Sequence, residues 1–162
     1  QILWVGERQY QLRLTYEDRK THSARLRAGV IHLKLNPAVE GAELKRAIQH
    51  LLSRVVAQDF LPQISRRVYE LNERHFQQPI KDVRLKYNHS NWGSCSRKLN
   101  INLSTRLLFA PSKVIDYVII HELAHLLEFN HSPRYWRLVE KAMPDYREQI
   151  RWLKENGELC DF

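Results

Sequence analysis

His121, Glu122 and His125, followed by His131, bring three imidazoles and one carboxylate into eleven residues. On a helix, residues four apart lie on one face, so His121 and His125 can grip one metal ion from adjacent turns. Glu122 is rotated away by one residue, able to reach a metal-bound water without being a ligand. If the helix ran on, His131 would lie about 600° further round than His125 and could not join the other two. A break at Asn130 would swing it back, because asparagine tolerates the left-handed conformation that ends a helix. Ser132 then reads as an N-cap and Pro133 as the first residue of a new helix, the first helix ending near Phe129. Structural zinc sites fill four positions with cysteine-rich sets, whereas three histidines leave one position for water. The expected centre is one Zn2+ per chain, or another divalent transition metal, with Glu122 as general base.

The elements that must hold this centre follow from periodicity. Tyr10, Leu12, Leu14 and Tyr16 alternate with polar residues, as do Ile31, Leu33 and Leu35. The first 35 residues therefore read as a short antiparallel sheet. Leu44, Ile48, Leu51, Leu52 and Val55 keep helical spacing, continued by Ile64, Val68 and Leu71 beyond Pro62. That pattern predicts two helices, or one bent near Pro62, over about residues 40–76. Val83, Leu85 and Tyr87 alternate again, as do Ile101 and Leu103. The metal helix opens at Pro111 or Ser112 and is apolar on most sides, which places it in the core and its ligands on a rigid element. Two further helices are expected, from Pro133 to about Met143 and from Pro144 to about Lys154.

Between the later strands lies the polar segment Asn91-Trp92-Gly93-Ser94-Cys95-Ser96. One reading makes it a wall of the active cleft, with Trp92 and Ser94 meeting substrate and the adjacent strand offering its edge to an extended peptide. The other makes it a tight turn, with Gly93 there for its conformation and Trp92 capping the core. Cys95 reads as a small buried residue rather than a fourth ligand. Tyr135 is a candidate oxyanion stabiliser, or a packing residue beside Trp136. His22, His32, His50, His75 and His89 have no ligand spacing.

A chain of 162 residues, 43% hydrophobic and 27% charged, fits one soluble domain over residues 1–162 with a sizeable core. No apolar run nears the roughly 20 residues that span a bilayer. No secretory leader is visible, although the chain opens on Gln1 rather than Met. Two cysteines are too few for a disulfide framework, so a reducing cytoplasm is expected. The net charge of +8 is scattered along the length, which reads as a solvated basic surface with at most weak attraction to nucleic acid.

Several motifs occur in order: Trp92-Gly93-Ser94-Cys95-Ser96, Ile101-Asn102-Leu103, Ile115-Asp116-Tyr117-Val118, the His121–His125 segment, Asn130-His131-Ser132 with Trp136, and Pro144-Asp145-Tyr146. In these the chain resembles the YgjP-like metallopeptidase domain family of metal-dependent hydrolases, itself distantly similar to the WLM proteases. The resemblance implies an α+β, zincin-like domain of antiparallel or mixed sheet and helices, with His121, His125 and His131 as ligands and Glu122 as catalytic carboxylate. It also leads one to expect a glycine in the turn where Arg97-Lys98-Leu99 stands. Metzincins share the spacing of the second and third histidines but place glycine at the bend, where this chain has Glu128.

Three functions compete. A zinc peptidase would cleave peptides; a metal-dependent phosphohydrolase would act on nucleotides; a non-enzymatic metal-bound module would recruit partners. Phosphate chemistry favours a glycine-rich cradle or a carboxylate-rich two-metal site, and the sequence has neither. A binding module has no need of Glu122. Peptidase-type hydrolysis is therefore the leading expectation.

Overall fold

The computed structural model describes residues 1–162 and is mixed α+β, as expected. Four strands form the first sheet: β1 (Ile2–Val5), β2 (Arg8–Tyr16), β3 (Ser23–Arg27) and β4 (Val30–Leu35). Their order is β1-β2-β4-β3, and β2 runs parallel to β4. The sheet is thus mixed rather than antiparallel. Residues 17–22 carry the chain past the sheet, so the β3–β4 hairpin returns with its second strand against β2. Ala28 and Gly29 close that hairpin with φ of 51° and 77°, the positive pair that a tight hairpin turn demands.

A single helix, α1 (Gly41–His75), follows. Pro62 lies inside it without dividing it, so of the two expected arrangements the chain takes the single helix. Proline removes one amide donor, and the carbonyl it deprives belongs to Gln58, which is solvent-exposed. Val55, Val56, Phe60, Ile64, Val68 and Leu71 form the buried stripe of α1, which packs against β3, β5 and α2.

The second sheet comprises β5 (Asp82–Lys86), β6 (Gly93–Cys95) and β7 (Asn100–Ser104), in the order β5-β7-β6. β6 is therefore an edge strand, antiparallel to β7. The turn between them contains Leu99 at φ 67°, a left-handed position where the family likeness suggested glycine and leucine is accepted instead.

Helices α2 (Ser112–Ala124), α3 (Pro133–Ala142) and α4 (Tyr146–Asn156) complete the chain. The α2 residues Val114, Val118, Ile119, Ile120 and Leu123 are buried in a contiguous cluster fed by both sheets and α1. α4 starts two residues later than expected, after Asp145. No helix is long and apolar enough to cross a membrane.

Candidate metal centre

His121 occupies the last turn of α2, and His125 is its C-cap. The helix ends at Ala124 rather than near Phe129, because the following amides tighten onto carbonyls three residues back. His125 bonds Glu122, Leu126 bonds Leu123 and Leu127 bonds Ala124. Asn130 is not among the residues of positive φ, so the corner is made by this tightened turn and not by a left-handed asparagine. Ser132 then caps α3 as expected, its Oγ accepting from the Tyr135 amide at 3.2 Å, with Pro133 in the first turn.

These turns bring the rings of His121, His125 and His131 together, with centroids 4.8–5.3 Å apart. One nitrogen from each lies within 4.8 Å of the others, and the set could hold a metal ion. Nitrogens around tetrahedral zinc would stand roughly 3.4 Å apart, given bonds of about 2.0–2.1 Å, so small side-chain rotations suffice. The donor chemistry also fits. His125 Nδ1 lies 3.1 Å from the Glu128 carbonyl, and His121 Nδ1 lies 3.2 Å from the Tyr117 hydroxyl. Each pairing leaves Nε2 for an ion. Burial, then the neighbouring His125 and His131, lowers His121 to about 4, and burial lowers His125. At neutral pH both rings are therefore neutral, the state that binds metal.

Glu122 is 5% exposed, and burial raises its carboxyl to about 8. It borders a cleft of about 390 Å³ with His121, Tyr117 and Val118 of α2, Trp92 and Gly93, and Ile150, Leu153 and Lys154 of α4. Gly93 is needed here for close approach. A Cβ on it would stand 3.0 Å from Glu122 Cγ and Oε2 and 3.0 Å from the Asn102 carbonyl. Its φ is not positive, so the expectation of a conformational role gives way to one of space.

Trp92 has contacts of both kinds. It walls the cleft, and its ring also packs against Gly157 and lies 4.8 Å beneath the Arg106 guanidinium. Ser94 alternates to the other face of β6, where Asn102 Nδ2 donates to its Oγ at 3.3 Å, and it does not line the Glu122 cleft. Tyr135 is fully buried, stacked 4.6 Å from the His125 ring, with its hydroxyl donating to the His121 carbonyl at 2.8 Å. The hydroxyl proposed for an oxyanion is thus already engaged behind the histidines. Cys95 is half-buried outside the histidine cluster, its thiol pushed up to about 11 by burial and then by Glu122. Tyr117 was missed by sequence reasoning, although its place four residues before His121 puts it on the ligand face. Nothing local pointed to Ile150, Leu153 or Lys154.

A family model described as YgjP-like, metallopeptidase domain, matches residues 1–156. No curated protein matches the chain. The crystal structure of the metallopeptidase zymogen abylysin of Pyrococcus abyssi is similar at 27% identity and a TM-score of 0.51, covering 57% of this chain and 93% of its own. That of the metallopeptidase zymogen jannalysin of Methanocaldococcus jannaschii is 20% identical with a TM-score of 0.49, covering 59% of this chain and 96% of its own.

Proposed function

The chain belongs to the YgjP-like metallopeptidase domain family, and from that premise we propose that it is a zinc peptidase in which His121, His125 and His131 hold the ion and Glu122 is the general base. The observation that carries this reading is the convergence of three imidazole nitrogens beside a buried carboxylate at one helix end. A bound zinc ion would supply Lewis acidity, lowering the pKa of water and polarising a carbonyl. Burial alone would keep the Glu122 carboxyl protonated at neutral pH; a cation bound at the histidines would favour its ionised form, which is suited to take a proton from the attacking water and pass it to the leaving amine. Tyr117 and the Glu128 carbonyl orient the imidazoles from outside, and Tyr135 supports them from behind.

A peptide substrate also suits the surroundings. The free edge of β6 can accept an extended chain as an added strand. The cleft beyond Glu122, with Val118, Ile150, Leu153 and Trp92 on its walls, suits an apolar side chain next to the scissile bond.

The test compares wild type with Glu122→Gln and His125→Ala on peptide and nucleoside-triphosphate pools, with metal content measured in each. About one zinc per chain is expected in wild type and Glu122→Gln, and little in His125→Ala. Peptides should be consumed by wild type alone. Consumption of nucleotides instead would replace the peptidase with a phosphohydrolase, and a protein that takes up no metal on reconstitution would sink both.

A further inference from the structure

Remote from the metal centre, a cavity of about 530 Å³ opens between α1 and β5. His50, Arg54 and Leu61 line it from the helix, Leu85 and Lys86 from the strand, and Thr105 from just beyond β7. No carboxylate lines it. Arg54 and Lys86 are exposed and enter none of the ion pairs of the fold. Surface cations alone would be ordinary on a chain of net charge +8. Thr105 is what distinguishes the place. It is 1% exposed, and its Oγ1 has no hydrogen-bond partner in the protein. A hydroxyl buried in this way costs stability unless something accepts from it or donates to it. Thr105 is one of the residues lining a cavity whose charged side chains are both cationic, with Leu51, Ala57, Leu61, Leu85 and Tyr87 as its apolar walls.

We infer that this cavity binds a small organic anion, a carboxylate or phosphate monoester with an apolar body, whose oxygens are shared among Thr105 Oγ1, Arg54 and Lys86. The apolar body lies against Leu61 and Leu85. Hydrogen bonds to a charged group are the stronger kind, and partial exclusion of water in the cavity strengthens them further. The site is independent of the metal centre and does not rest on the peptidase reading.

Phenyl phosphate and phenylacetate serve as anionic probes on the full chain, with benzyl alcohol as their neutral counterpart. Binding is followed by amide NMR shifts and thermal unfolding. Saturable shifts are expected around residues 50–61, 85–87 and 105 with at least one anion and not with the alcohol. A response to phenyl phosphate alone assigns the site to phosphate monoesters, and a response to phenylacetate alone assigns it to carboxylates. Arg54→Gln and Lys86→Gln, both on the exposed rim, should each weaken binding roughly tenfold. Thr105→Val removes the unpartnered hydroxyl at nearly equal volume, so the ligand-free Tm should rise while probe affinity falls; Thr105→Ser should keep both as in wild type. His125→Ala should leave the probe affinity unchanged. No saturable shift with either anion, equal shifts with benzyl alcohol, or undiminished binding in the Arg54→Gln/Lys86→Gln double variant would overturn the proposal. A lower ligand-free Tm in Thr105→Val would do the same, by showing that the hydroxyl is satisfied within the fold.

Discussion

The phenolic hydroxyl of Tyr135 donates a 2.8 Å hydrogen bond to the backbone carbonyl of His121. That carbonyl has lost its helical partner, because the amide of His125 turns to Glu122 instead. One side chain from α3 thus caps the end of α2 and, through its ring, backs the imidazole of His125. Tyr135→Phe keeps the ring and deletes the bond, leaving a buried carbonyl unpaired. Urea denaturation of the metal-free variant should show a loss of roughly 1–3 kcal/mol, and competition with a chelator should show weaker metal binding. If neither changed, the bond would have no part in holding the helix end.

Gly93 leaves room for the Glu122 carboxylate, since a Cβ would meet both Cγ and Oε2 at 3.0 Å. Gly93→Ala is therefore expected to retain its metal and lose hydrolysis by roughly a hundredfold, the effect of displacing a reacting group by about an ångström. Ser94→Ala, one residue on and facing the other way, is the natural comparison and should leave the rate nearly unchanged. Full activity in Gly93→Ala would mean that the carboxylate does not work from the position it occupies here.

The pairing of His121 with His125 is legible because helical periodicity fixes which residues share a face, and the start of α3 because Ser132-Pro133 is a local cap signal. The corner between them is not legible in the same way. Asparagine permits a left-handed turn without requiring one, and the chain instead tightens its last amides onto carbonyls three residues back. Strand alternation likewise identifies β2 and β4 as strands but says nothing of which strand lies beside which. The parallel pairing of Leu12 with Ile31 and Leu14 with Leu33 is visible only in the fold. Gly93 announces a constraint without saying which, and only the neighbouring Glu122 shows that it is one of space. Ile150, Leu153 and Lys154 reach the cleft through the packing of α4 on α2, which no nearby residue encodes.

Trp92 is held by the Arg106 guanidinium 4.8 Å from its ring and by Gly157, where a Cβ would lie 2.8 Å from the indole. Arg106 in turn donates to the carbonyls of Gly157 at 2.8 Å and Cys160 at 2.7 Å, tying residues beyond α4 to the cleft wall. Gly157→Ala should therefore overpack this contact and cost roughly 1–3 kcal/mol. In a Trp92→Phe background, where the larger ring is gone, most of that cost should disappear. A double-mutant cycle on the denaturation midpoints measures the coupling. Additive losses would show that Gly157 is constrained by something other than Trp92.

The metal-free protein should carry a pH dependence that belongs to Glu122. Its carboxyl titrates at about 8 in the fold, against 4.5 for the ordinary group. Between those values the folded state holds a proton that the unfolded chain releases, so the contribution is full at the acid end and lost as pH rises through about 8. His121 works in the opposite sense lower down. Its folded value of about 4 lies below the ordinary 6.5, so the fold is favoured above the latter and loses ground as acid protonates the unfolded imidazole first. Chelator-treated wild type should accordingly gain stability as pH falls from about 8 to about 6.5; below that the His121 slope cancels the Glu122 slope, and His125, also lowered by burial, turns the balance to a net loss toward about pH 4. Glu122→Gln, uncharged throughout, should exceed wild type in stability at the alkaline end, with the gap narrowing as pH falls and closing only near about pH 4.5. Urea denaturation of both proteins across this range measures the gap directly; parallel curves would show that Glu122 is as well solvated in the fold as in the unfolded chain, and that its proton affinity is not raised for catalysis.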